Sequence, residues 1–179
     1  HQGHVAYPER ADNPVTRIIQ MLHALKLEPM DKGSEFFPPT NLEVTTVDVG
    51  NPTVNMIPAT AKAQFNVRFN DLHTSDSVEA WVKSKLAPFG SHTLTKRVTG
   101  ESFLTRDERL VKVVVDAVKD VTGMTPALTT TGGTSDARFI KDACPVCEFG
   151  MVGQTMHKAD ERCAVDDITR LSAIYLRIL

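Results

Sequence analysis

From Ala59 to Asn70 the chain alternates with a period of two: Ala61, Ala63, Phe65, Val67 and Phe69 are separated by Lys62, Gln64, Asn66, Arg68 and Asn70. Successive side chains of a strand point to opposite faces, so this pattern predicts a strand with one apolar and one polar face. Such a strand belongs in an antiparallel sheet that covers a core on one side, not in a parallel sheet buried on both. The flanking segments must therefore supply an antiparallel partner and a helical layer.

Both are legible. Residues 1–6 read as the end of a strand. Asn13 is a helix cap with Pro14 at the first helical position, and Val15, Ile18, Ile19, Leu22 and Leu25 repeat at helical spacing. Residues 33–39 form a loop, and β-branched residues from Leu42 to Val49 read as a strand ending at the Gly50-Asn51-Pro52 turn signal. Residues 75–87 predict a helix with Val78, Trp81, Val82 and Leu86 inward, and 92–99 a closing strand. The order β-α-β-β-α-β is ferredoxin-like: a four-stranded antiparallel sheet with two helices on one face, the other face or an edge strand being free to meet a partner.

A second unit begins near residue 101. Thr105-Arg106-Asp107-Glu108 reads as a capping box for a helix that Gly123 stops. Strand-like 127–130, a glycine-rich loop, a short helix near 135–142, strand-like 145–149 and a helix from Asp166 follow. Two strands are too few to bury a parallel sheet, so this unit is expected to complete a sheet supplied by further chain. The overall fold class is α+β. The chain begins at His1 instead of Met, so its natural N-terminus is expected upstream.

With 41% hydrophobic and 23% charged residues and a net charge of −2, the chain reads as a soluble globular protein with no electrostatic reason to bind nucleic acid or an acidic membrane. No apolar run is long enough to span a bilayer. Three cysteines do not make a disulfide framework, and a reducing, cytoplasmic setting follows. Cys144 and Cys147, with His157 and Cys163, would form a Cys₃His zinc site, but a strand at 145–149 sends Cys144 and Cys147 to opposite faces. Small buried residues are the preferred reading of these cysteines.

Several residues offer chemistry with two readings each. His157, beside Asp160 and Glu161, is a zinc ligand with carboxylates to orient its ring, or a surface histidine. Thr131–Ser135, between strand and helix, is an anion-binding loop or a tight turn, and it lacks the Lys-Ser/Thr ending of a phosphate loop. His4 is structural or functional, Arg68 is solvated or a carboxylate clamp, and Asn55 lies in a turn where Asn is favoured for backbone reasons.

Six segments, taken together and in order, resemble the M20 metallopeptidase family: Gly3–Pro8 with Ala11–Pro14, Glu35-Phe36-Phe37-Pro38-Pro39-Thr40, Asn55-Met56-Ile57-Pro58, Phe65–Phe69, Thr130–Phe139 and Met156-His157-Lys158. The resemblance implies a two-domain, homodimeric, di-zinc amidohydrolase acting on a small molecule, with release of succinate from N-succinyl-diaminopimelate as the implied reaction. It implies a dimerisation (lid) domain over 1–103 and the C-terminal part of an α/β zinc-hydrolase catalytic domain over 104–179. It further implies that His157 binds zinc and that His4 reaches the partner subunit's site to stabilise an oxyanion. Asn55, Arg68, Gly133, Thr134 and Ser135 would bind substrate. An oxyanion donor of this kind contributes ~3–4 kcal/mol to a transition state. The family's remaining zinc ligands and its general-base Glu are expected upstream of His1, so the chain alone is expected to be inactive and to hold zinc weakly. Gly153 stands where some members carry a substrate-binding Asn. Alternative readings are another deacylase of the family, acting on acetylornithine, and a non-catalytic dimerisation module.

Overall fold

The computed structural model describes residues 1–132 and 135–179. The chain divides into two compact units, His1–Ser102 and Phe103–Leu179.

In the first unit the elements run β1 (Gly3–His4), α1 (Pro14–Leu27), β2 (Asn41–Asp48), β3 (Met56–Ile57), β4 (Lys62–Arg68) and α2 (Ser75–Leu86). Asn13 caps α1 by accepting the Val15 N–H at 2.9 Å. Thr74 and Ser77 cap α2 reciprocally. The period-two reading holds in β4, where Ala63, Phe65 and Val67 are half-buried and Lys62, Gln64, Asn66 and Arg68 are exposed. Met21 and Leu25 of α1, Leu42 of β2, and Val82 and Leu86 of α2 form the core, with Val44, Phe65, Val67 and Trp81 packed against it.

Ile19 is 60% exposed; two residues from Met21, it lies about 200° around the helix from that buried position. Two expectations need correction here. The sheet is not one continuous four-stranded layer among the described residues. It consists of two antiparallel two-stranded ladders, β1 with β3 and β2 with β4. Residues 92–99 form no strand among the described residues. Side chains hold that segment instead: Leu94 packs on the core, and Lys96 Nζ reaches Asp76 Oδ1 and Glu79 Oε2, each at 2.7 Å.

The second unit is built on α3 (Glu108–Thr122), a short α4 (Ala137–Ile140) and α5 (Val165–Ile178). Val114, Ala117 and Val118 of α3 bury Ile174 of α5, with Val121, Cys147, Phe149 and Ile178 around them. Gly123 ends α3 at φ 73° and donates its N–H to the Lys119 carbonyl at 2.8 Å, a left-handed cap that glycine adopts without a Cβ penalty. The N-cap is Asp107, which accepts the Leu110 N–H at 2.9 Å. The expected capping box at Thr105 does not form, because that hydroxyl donates to the Val146 carbonyl. Residues 127–130 and 145–149 form no strand among the described residues. A ladder needs a neighbouring backbone, and 145–149 is held through side chains instead: Phe149 packs on the helix pair and its carbonyl accepts the Tyr175 hydroxyl at 2.6 Å. All three cysteines are free thiols. Cys144 and Cys163 are exposed, against the expectation of buried residues, because they lie outside the α3–α5 contact. Cys147 is half-buried, and burial, assisted by Glu148, raises its thiol pKa. Among the described residues no helix is long and apolar enough to cross a membrane.

Candidate functional site

The β1–β3 ladder brings two expected site residues together. His4 pairs with Met56 and Gly3 with Ile57, and Val5 N–H donates to the Asn55 carbonyl at 3.1 Å. His4 and Asn55, with Gln2, Gly3 and Met56, line a shallow groove of about 480 Å³. The groove wall packs closely: a Cβ on Gly3 would lie 2.7 Å from the Ala11 Cβ, so glycine is required for that approach. The His4 imidazole lies 5.8 Å from the Tyr7 ring, tilted by 56°.

Arg68 lies at the end of β4, paired with Asn41 of β2, on a different ladder from His4 and Asn55. Its exposed position on the polar face matches the sequence pattern.

The sequence reading missed a polar knot beside this end of the sheet. Asp31 Oδ1 accepts from Gly33 N–H at 2.7 Å and from Asn70 Nδ2 at 2.7 Å. Thr40 N–H lies 3.2 Å from both carboxylate oxygens, and His73 Nε2 is 3.1 Å from Oδ2. Burial alone would raise the Asp31 carboxyl, but hydrogen bonds from Thr40, Gly33 and Asn70 outweigh it and lower the pKa from 3.8 to about 2. Asn70 is 2% exposed, and its Oδ1 accepts the Leu72 N–H at 3.0 Å. The partners are spread over residues 31–73, and no local motif announces them; the one available signal was a polar Asn70 closing the alternating strand.

In the second unit, Ser135 Oγ accepts the Ala137 N–H at 3.0 Å at the start of α4. Gly133 and Thr134, expected beside it, lie outside the described residues. His157 is exposed, at φ 60°, and its N–H donates to Glu161 Oε2 at 3.3 Å. His157 and Asp160, at φ 58°, are the non-glycine residues with positive φ among the described residues. Two in one loop is a local strain of the kind that persists where surrounding bonds over-determine it. Here Thr155 supplies those bonds: its Oγ1 donates to the Arg162 carbonyl at 2.8 Å and accepts the Arg162 N–H at 3.0 Å. Among the described residues no three His, Cys, Asp or Glu side chains gather in a way that would hold a metal ion. His157 contributes one imidazole and Glu161 is turned to the His157 backbone, so these residues do not by themselves fit a metal.

The peptidase dimerisation domain of the M20 family matches residues 1–93. The chain belongs to the M20 peptidase family. Among its curated relatives are succinyl-diaminopimelate desuccinylases from Methylobacterium radiotolerans, 51% identical over 99% of this chain, from Methylobacterium nodulans, 54% identical over 99%, and from Paracoccus denitrificans, 48% identical over 99%. The chain spans about half the length of these relatives, 47% for the first. Two solved structures share its fold. One is an aminopeptidase, PepT, from Bacillus cereus, with a TM-score of 0.70 at 19% identity, covering 99% of this chain and 48% of that one. The other is an M20 family metallo-carboxypeptidase from Sulfolobus solfataricus, with a TM-score of 0.74 at 13% identity, covering 99% and 54%. In this M20 chain, then, the matched region falls within the first unit, and both His4 and Asn55 fall within the match.

Proposed function

We propose that this chain is the dimerisation (lid) domain, residues 1–103, and the C-terminal segment of the catalytic domain, residues 104–179, of a succinyl-diaminopimelate desuccinylase. The observation that carries this is identity of 51% over 99% of the chain to a desuccinylase, together with the His4–Asn55 groove. The reaction is hydrolysis of N-succinyl-diaminopimelate to succinate and diaminopimelate in the cytoplasm. The substrate is a small dianionic amide, and a net charge of −2 favours neither nucleic acid nor membrane as a partner.

The roles proposed for the site residues are those the family resemblance implies. His4 donates to the oxyanion in the partner subunit's site, and Asn55 binds the substrate beside it. Arg68 clamps a substrate carboxylate through its planar guanidinium. Gly133, Thr134 and Ser135 line the substrate loop. His157 is a ligand of one of two zinc ions. One imidazole cannot retain a catalytic metal, so the other ligands are assigned to the half of the relatives' length that this chain does not span. Unit 1 forms the homodimer, which for the isolated chain is its whole activity.

The test compares the complete enzyme with the 179-residue chain for succinate release from N-succinyl-diaminopimelate, with N-acetylornithine as competitor. The complete enzyme should prefer the succinyl substrate, and His4→Ala should lower its kcat by roughly 10²–10³-fold, the loss typical of one oxyanion donor. Preference for acetylornithine would move the assignment to another deacylase of the family. Zinc-dependent turnover by the 179-residue chain would overturn the division of the site.

A further inference from the structure

His4 closes a short turn with its own side chain. Tyr7 N–H donates to the His4 carbonyl at 3.0 Å, and Ala6 N–H donates to His4 Nδ1 at 3.0 Å. A ring nitrogen that accepts a hydrogen bond in the ring plane cannot also bear a proton there. In a neutral imidazole the proton then sits on the other nitrogen.

A ring flip that exchanges the two nitrogens would break the Ala6 bond. The Tyr7 ring centre lies 5.8 Å from that of the imidazole, tilted by 56°, and the Arg10 guanidinium lies 4.9 Å from the Tyr7 ring centre. Nε2–H is left as the ring's one available polar group, and His4 lines a groove together with Asn55. There the Asn55 carbonyl is taken by Val5 N–H.

We infer that the Ala6 amide is a positioning group that locks His4 in the Nε2–H tautomer, so that His4 donates from Nε2 toward an anionic oxygen. The identity of that oxygen, a developing oxyanion, rests on the desuccinylase reading; the tautomer does not. A backbone donor two residues on holds the ring, as an Asx turn holds a carboxamide.

The experiment is long-range ¹H–¹⁵N NMR of the ¹⁵N-labelled 179-residue chain at pH 8, with a short peptide containing His4 as the unrestrained reference. The expected spectrum shows His4 Nε2 at the shift of a protonated ring nitrogen and Nδ1 at that of a bare acceptor, each displaced from the averaged peptide values. In His4→Phe, which keeps a ring and removes the acceptor, the Ala6 amide proton should move upfield to an unbonded position. Ring shifts equal to those of the peptide, a proton on Nδ1, or an Ala6 amide indifferent to His4→Phe would each overturn the inference. A complete enzyme that fails to hydrolyse the succinyl substrate would remove the proposed function while leaving the tautomer result intact.

Discussion

Replacing Asp31 by Asn should destabilise the first unit by roughly 2 kcal/mol at pH 7. The magnitude follows from the carboxyl itself: holding it at about 2 in place of 3.8 corresponds to roughly 2.4 kcal/mol at ~1.4 kcal/mol per pH unit. The carboxylate side chain is 8% exposed, so solvent screening takes little from that figure. Asn keeps the shape but turns one acceptor into a donor. That NH₂ must face either the Gly33 and Asn70 donors or the Thr40 N–H and His73 Nε2. The sign with pH is fixed. The folded carboxyl titrates below the unfolded one, so its contribution is complete above about pH 4 and disappears as pH falls through about 2. Urea unfolding followed by fluorescence of Trp81, the chain's single tryptophan and packed against the first core, reports this unit. The difference between wild type and Asp31→Asn should be large at pH 7 and shrink steadily between pH 4 and pH 2. A difference below ~0.5 kcal/mol at pH 7, the range of an ordinary surface change, would refute the reasoning. So would one that stays constant as the pH is lowered.

Leu25→Ala, at a site 2% exposed in the first core, should cost about 2–4 kcal/mol in the same assay, whereas Ile19→Ala, on the solvent side of the same helix, should change stability by less than ~0.5 kcal/mol. Gly123→Ala should destabilise α3 by about 1 kcal/mol, seen as a lower melting temperature by circular dichroism; nothing lies within 4 Å of the added Cβ, so the cost is purely that of the left-handed backbone. After dialysis against chelator and then buffer with zinc, the 179-residue chain should retain well under one zinc per chain by elemental analysis; one tightly held zinc lost on Cys144→Ser would instead point to a cysteine site.

Local patterns in the sequence determined the α+β class, the helices at 14–27, 75–86 and 108–122, and the two-faced strand at 62–68. These follow from periodicity and capping, which depend only on neighbours in the chain. Motif resemblance identified His4 and Asn55 as site candidates because each sits in a short distinctive segment. Only the tertiary structure showed that a two-residue ladder puts them in one groove, that the Ala6 amide engages His4 Nδ1, and that Arg68 belongs to the other ladder. It alone revealed the Asp31 knot and showed that residues 92–99, 127–130 and 145–149 form no strands among the described residues. A strand is completed by hydrogen bonds to another backbone, and a buried carboxylate by donors dozens of residues away. Neither set of partners can be read from the local order of residues.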